Sequence, residues 1–150
     1  MPDAKRPATS AGLNRLGRAD EATEALDPLQ MLPAPGQGAL AVECRTDDHE
    51  LVELLSALDD AATRAAVTCE RQVLNTLEAG CSAPLGALAE VVDADEGEEL
   101  WIRAVALSGD GRRVVRMSAT GEPGDAQGIG ARLGSEMLAA GAAELMEATA

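Results

Sequence analysis

The 150-residue sequence offers three thiols, Cys44, Cys69 and Cys81, and one imidazole, His49, as candidate nucleophiles and bases. A thiol attacks as its thiolate, which needs access and some electropositive help. Cys44 falls on the apolar side of a strand-like run and Cys69 on the apolar stripe of a helix-like run. Cys81 alone falls in a loop, between Gly80 and Ser82, just after an arginine-bearing helix. No histidine stands near it in sequence, which counts against a protease-like Cys–His pair. A reactive Cys81 would therefore hold something covalently rather than turn over by acyl transfer. An unreactive Cys81 would be a bystander in a turn, and pattern alone leaves both readings open. The thiols lie 25 and 12 residues apart, an odd set that makes neither a zinc-type pair nor a disulfide framework. No metal site is expected.

A second cluster, Met31-Leu32-Pro33-Ala34-Pro35-Gly36-Gln37-Gly38, carries two prolines and two glycines in its last six residues and reads as a firm chain break. Its Gly-Gln-Gly lacks the Lys-Ser/Thr ending and the preceding strand of a phosphate loop, so it reads as a glycine turn.

The elements around these residues follow from periodicity. Residues 1–10 are polar and proline-containing and are expected to be disordered. Residues 11–18 read as one or two helical turns stopped at Gly17. Ala39 to Arg45 alternates as a strand, with Leu40, Val42 and Cys44 on one side. Thr46-Asp47-Asp48 then caps a short helix, His49 to Leu58, with Leu51, Leu54, Leu55 and Leu58 facing inward and His49 facing solvent. A longer helix, Asp60 to Glu78, buries Ala62, Ala65, Ala66, Cys69, Val73 and Leu77. Arg64, Glu70 and Arg71 fall off that stripe, which makes an exposed, idle Arg71 the simplest expectation. After Cys81 the period changes to two, giving strands over Gly86 to Val92, Leu100 to Leu107 and Arg112 to Ala119, the last two joined by a compact Ser108–Gly111 hairpin. A last helix runs to about Met146, weakened by Gly128, Gly130 and Gly134. The fold class is α+β: a three-stranded antiparallel sheet flanked by helices.

Composition narrows the partners. With no Phe, no Tyr and one Trp, the core must be built from Leu, Val, Ala, Ile and Met. Twelve basic residues against 26 acidic ones give a net charge of −14, which argues against nucleic acid and anionic membrane and makes the chain alone a poor receptor for a polyanion. No run is long and apolar enough to span a bilayer, and no secretory signal is visible at Met1–Arg6, so a reducing cytoplasm is expected.

The stretch Leu32 to Arg45, together with Glu70-Arg71 and Leu77-Glu78-Ala79-Gly80-Cys81-Ser82-Ala83-Pro84-Leu85-Gly86, closely resembles the porphobilinogen deaminase (hydroxymethylbilane synthase) family from about Gly12 to the C-terminus. The resemblance implies a cofactor, dipyrromethane, held by a thioether on Cys81 in its Gly80-Cys81 loop. It implies porphobilinogen as substrate: loss of ammonia leaves an electrophilic methylene, four units add in turn on the tethered cofactor, and hydrolysis releases hydroxymethylbilane. It places Gln37 at the cleft beside the cofactor and matches Arg45 and Arg71 to cleft arginines. It further implies a monomeric intact enzyme, a transferase of tetrapyrrole (haem) biosynthesis.

The sequence lacks roughly the first half of that family's pattern, including its catalytic aspartate and most of its arginines. Residues 1–32 are then expected to be a disordered start and the tail of the second domain. Residues 33–58 would be a return strand and helix of the first domain, and residues 59–150 the cofactor-carrying third domain. Such a chain is expected neither to assemble the cofactor nor to turn over alone. The competing class is a non-catalytic α+β binding module or inactive remnant in which Cys81 does nothing.

Overall fold

A computed structural model describes residues 9–80, 83–95 and 97–147. The chain forms a small unit, residues 1–31, and a larger one, residues 32–150. The expected disorder of residues 1–10 falls almost wholly outside the described residues.

In the small unit, helix α1 covers Ser10–Arg15. Thr9 caps it by accepting from the Gly12 N–H. Gly17, at φ 65°, ends it as expected and lets the Arg18 N–H reach back to the Leu13 carbonyl at 2.9 Å. Arg18 and Glu21 form an exposed ion pair at 2.6 Å, a kind of contact that contributes little to stability.

The larger unit contains α2 (His49–Ser56), α3 (Ala61–Thr76), β1 (Leu85–Ala94), β2 (Gly97–Leu107), β3 (Val114–Gly121), α4 (Ala126–Ala139) and α5 (Ala142–Glu147). Asp48 and Asp60 cap α2 and α3 through the Leu51 and Thr63 N–H groups, at 3.2 and 2.7 Å. The strands make one antiparallel sheet in the order β1-β2-β3, with Leu85 opposite Ala106 and Leu107 opposite Val114. Ser108 closes the second hairpin, donating its hydroxyl to Asp110 and accepting from the Arg113 N–H at 2.9 Å. The α+β expectation holds.

One face of the sheet carries the core. Leu85, Ala87 and Ala89 of β1 and Leu100, Ile102, Ala104 and Ala106 of β2 are buried against Cys69, Val73 and Leu77 at α3 and Ile129, Leu133 and Met137 of α4. Each of the larger aliphatic side chains gains about 1.5–3 kcal/mol by leaving water. Where the sequence suggested only weakness, the α4 glycines have a use. A Cβ on Gly134 would stand 2.6 Å from the Thr76 Cβ, and one on Gly130 would meet the Cys69 carbonyl. Hydrogen at these positions lets α4 lie directly on α3.

Three expectations need correction. The last helix does not run unbroken to Met146: α4 stops at Ala139, the chain turns at Gly141 with φ 89°, and α5 follows. Residues 39–45, which alternate as a strand in sequence, are irregular chain. Alternation marks a strand only when a neighbour takes its amides, and no strand among the described residues pairs with this stretch; Leu40 is 93% exposed. Helix α2 forms where expected, but its leucines do not face a core: Leu51 is exposed, Leu54 and Leu58 are 70% and 71% exposed, and Leu55 is half-buried. No described helix is long and apolar enough to cross a membrane.

Replacing glycine by alanine inside a helix ordinarily stabilises by up to about 1 kcal/mol. Gly134→Ala should instead destabilise by about 1–3 kcal/mol, because the methyl group has no room against Thr76. Urea denaturation of the two proteins measures the sign.

Candidate functional site

The site begins with a turn. Ala34-Pro35-Gly36-Gln37 closes through the Gln37 N–H donating to the Ala34 carbonyl at 3.0 Å. Proline at the second position and glycine at φ 75° in the third make it a type II turn, whose geometry these two residues favour. The glycine-turn expectation therefore holds, and Gln37 stands exposed at its end.

The segment leading into the turn is strapped over the edge of the sheet. Leu32 is buried against Gly86, where a Cβ would come 2.9 Å from the Leu32 Cβ and 3.0 Å from its carbonyl oxygen. Only glycine admits that approach. One residue on, the Ala87 N–H of β1 donates to the Pro33 carbonyl at 2.9 Å. The next outward amide of β1, Ala89, donates to Glu70 Oε1 at 2.8 Å, while Glu70 Oε2 accepts from the Gly36 N–H at 2.6 Å. One carboxylate on α3 thus ties the turn and the strand edge to the same helix.

Glu70 is 5% exposed, which corrects the expectation that it lies off the buried stripe. The signal was present in the spacing: Ala66, Glu70, Val73 and Leu77 recur at helical intervals, and only the charge of Glu70 disguised its inward position. Burial raises its carboxyl above the usual carboxylate range, opposed by the Ala89 and Gly36 N–H groups and by the Arg71 guanidinium. A buried carboxylate persists when its oxygens are hydrogen-bonded, and both of these are.

Arg71 is exposed but not idle. Its Nε lies 3.6 Å from where a Gly36 Cβ would stand, so the guanidinium rests against the turn that ends in Gln37. Arg71 therefore lies against the turn whose next residue is Gln37. The Arg45 guanidinium lies 3.7 Å from Asp47, both side chains over four-fifths exposed.

From Arg71, α3 continues five residues to Thr76, about 7.5 Å along its axis. It ends in a double turn-back, the Glu78 N–H donating to Asn75 and the Ala79 N–H to Leu74, both at 3.1 Å. The residue in the left-handed position is Glu78, at φ 51°, where glycine is the usual choice. Gly80 follows, exposed, and its carbonyl accepts from the Ala83 N–H at 3.0 Å, drawing the two ends of the loop together. The far end is fixed by the Leu107 N–H donating to Pro84 at 3.0 Å. Cys81, the expected cofactor anchor, lies outside the described residues.

The other two thiols separate cleanly. Burial, and then the Glu70 carboxylate, push the Cys69 thiol up to about 12, so it remains protonated and inert. Cys44 is half-buried in the irregular 39–45 segment instead of on a strand. Among the described residues, no group of three or more His, Cys, Asp or Glu side chains could hold a metal ion. What the site offers is a guanidinium resting against the turn and, at the end of that turn, the exposed Gln37, beside the helix that leads to Gly80. That pair can bind carboxylates.

Two family models match the chain. Residues 8–53 match the porphobilinogen deaminase dipyrromethane cofactor binding domain, and residues 64–139 match the porphobilinogen deaminase C-terminal domain. Cys81 falls within the second match. A porphobilinogen deaminase of Nocardia farcinica is 57% identical over 141 residues, covering 91% of this chain and 41% of the relative. Those of Mycobacterium bovis and Mycobacterium leprae are each 55% identical over 141 residues, with 46% and 45% of the relatives covered. The chain spans less than half the length of these relatives.

Two measurements check the geometry. At pH 8 only about one Cys69 in ten thousand carries a thiolate, so a thiol-specific reagent should leave Cys69 unmodified in the native chain and label it after denaturation. Labelling of native Cys69 at the rate of the denatured thiol would contradict its burial. Glu78→Gly should raise stability by about 0.5–1 kcal/mol, since glycine removes the left-handed penalty and returns part of that gain as unfolded-state entropy. Chemical denaturation checks it.

Proposed function

We propose that this chain, which belongs to the porphobilinogen deaminase family, carries the dipyrromethane cofactor of an enzyme that joins four porphobilinogen molecules into hydroxymethylbilane with loss of ammonia. The observation that carries the reading is the docking of the Pro35-Gly36-Gln37 turn, by Glu70, onto the same helix that leads to the Gly80 loop. It supports treating Gln37, Arg71 and the loop as parts of one site.

The residues fit such a group. Dipyrromethane bears carboxylate side chains and hangs from a single covalent bond, so it needs a reachable thiol, room to move, and cations or amides nearby. Cys81 would supply the thiol as a thioether anchor. Gly80 leaves the backbone beside it unencumbered, and the Ala83–Gly80 and Leu107–Pro84 bonds hold the loop's ends. Arg71 would pair with a carboxylate, and Gln37 would hydrogen-bond one. Once attached, the dipyrromethane supplies the growing end to which the incoming pyrrole units are joined. Arg45, beside Asp47, would be a further cation for the group. Against a net charge of −14, most of the cations that a polyacid needs would come from residues beyond this chain.

On this reading residues 1–32 are the tail of a second domain, residues 33–58 return to a first, and residues 59–150 form the third. The intact enzyme works as a cytoplasmic monomer, with porphobilinogen its small-molecule partner and no role for nucleic acid. The exposed Leu40, Val42, Leu54 and Leu58 suit surfaces that the rest of the enzyme would cover.

The test is a chimera with this chain in place of the matching part of the Nocardia farcinica relative. Incubated with porphobilinogen, it should form bilane, and its intact mass should show two pyrrole units on the peptide containing Cys81. Cys81→Ser should abolish both. Bilane formation that survives Cys81→Ser, or a folded chimera without adduct, would favour the non-catalytic module.

A further inference from the structure

Glu70 and Arg71 are consecutive residues of α3, yet they grip the same turn from different sides. The Glu70 carboxylate takes the Gly36 N–H at 2.6 Å, and the Arg71 Nε lies 3.6 Å from where a Gly36 Cβ would stand. Neither contact is local, since Gly36 is 34 residues from Glu70 in sequence. The other Glu70 oxygen holds the Ala89 N–H at 2.8 Å, so the carboxylate cannot rotate without releasing a buried strand amide. Glu70 itself is 5% exposed, and its bond to Ala89 is buried. The position of Gln37, one residue beyond Gly36, relative to Arg71 is consequently set by Glu70.

We propose that Glu70 is a positioning residue: it fixes the Pro35-Gly36-Gln37 turn against Arg71, so that the amide and the guanidinium meet one carboxylate-bearing ligand together. This rests on the functional reading above and extends it to a residue that touches no ligand itself. A merely structural Glu70 would cost stability and nothing else. A positioning Glu70 also costs turnover in molecules that remain folded and loaded.

Glu70→Gln is the informative change, since the amide has nearly the same shape but one acceptor oxygen in place of two. In the 150-residue chain, hydrogen exchange at the Gly36 or Ala89 amide should quicken by about tenfold or more, while that of the β2 amides stays within about twofold. In the chimera, kcat per cofactor-loaded molecule should fall about tenfold at a KM within about twofold of the parent. Gln37→Ala should then cost less in the Glu70→Gln background than in the parent, because the two changes damage the same arrangement. Gly36→Ala strains the turn at φ 75° and leaves the Ala89 bond intact, so it should reproduce the kcat loss and decides the matter if Glu70→Gln does not fold. An unchanged kcat per loaded molecule, or a full Gln37→Ala cost in both backgrounds, would overturn the proposal. If Cys81→Ser still makes bilane, the functional reading falls instead, and unaltered exchange at both Gly36 and Ala89 would still refute the clamp by itself.

Discussion

Strand β1 pairs with β2 on one side only, and its outward amides need partners on the other. A bare edge strand invites pairing with another chain and leaves amides to find water. Here the Ala87 amide is met by the Pro33 carbonyl and the Ala89 amide by Glu70. A neighbouring loop and a helical carboxylate thus do the work of a fourth strand. From this arrangement follow glycine at position 86, burial of Leu32 over it, and a carboxylate buried beside Cys69. The candidate site is the outer surface of that edge protection.

The lack of large aromatics shapes the other side of the sheet. With Ala87, Ala89, Ala104 and Ala106 on its inner face, the sheet offers little side-chain depth, and the helices must come close to leave no voids. Gly130 and Gly134 permit this between α3 and α4. The helix propensity lost at each is the cost of dense packing with small residues. Because the second half of α3 is packed through Cys69, Glu70 and Val73, the direction in which it delivers the chain to Gly80 is also fixed.

Much of this was legible in the sequence. The three strands, the cap at Asp48, the stop at Gly17 and the Pro35-Gly36 turn depend on local chemistry that the neighbouring residues state directly. The buried place of Glu70 was hidden, because a charged side chain on an apolar stripe looks like an interruption until its two backbone partners, 34 and 19 residues away, are known. The stretch 39–45 misled in the opposite way. Its alternation describes a surface fit for pairing, and pairing is a property of two strands. The same holds for α2, whose leucines mark a face left largely exposed. For the site, the turn was visible from residue type. The approach of Arg71 to Gly36 was not, since it depends on how the strap crosses β1.

The Glu70 clamp also bears on how the chain is closed on itself. Its two bonds join α3 to a turn that precedes it and to a strand that follows it, the first spanning 34 residues of sequence and the second 19. Each closes a loop, and the entropy lost in closing it grows only slowly with its length. A single carboxylate thus gathers three stretches of chain, and the segment carrying Gln37 owes its place in the fold to a contact far from it in sequence.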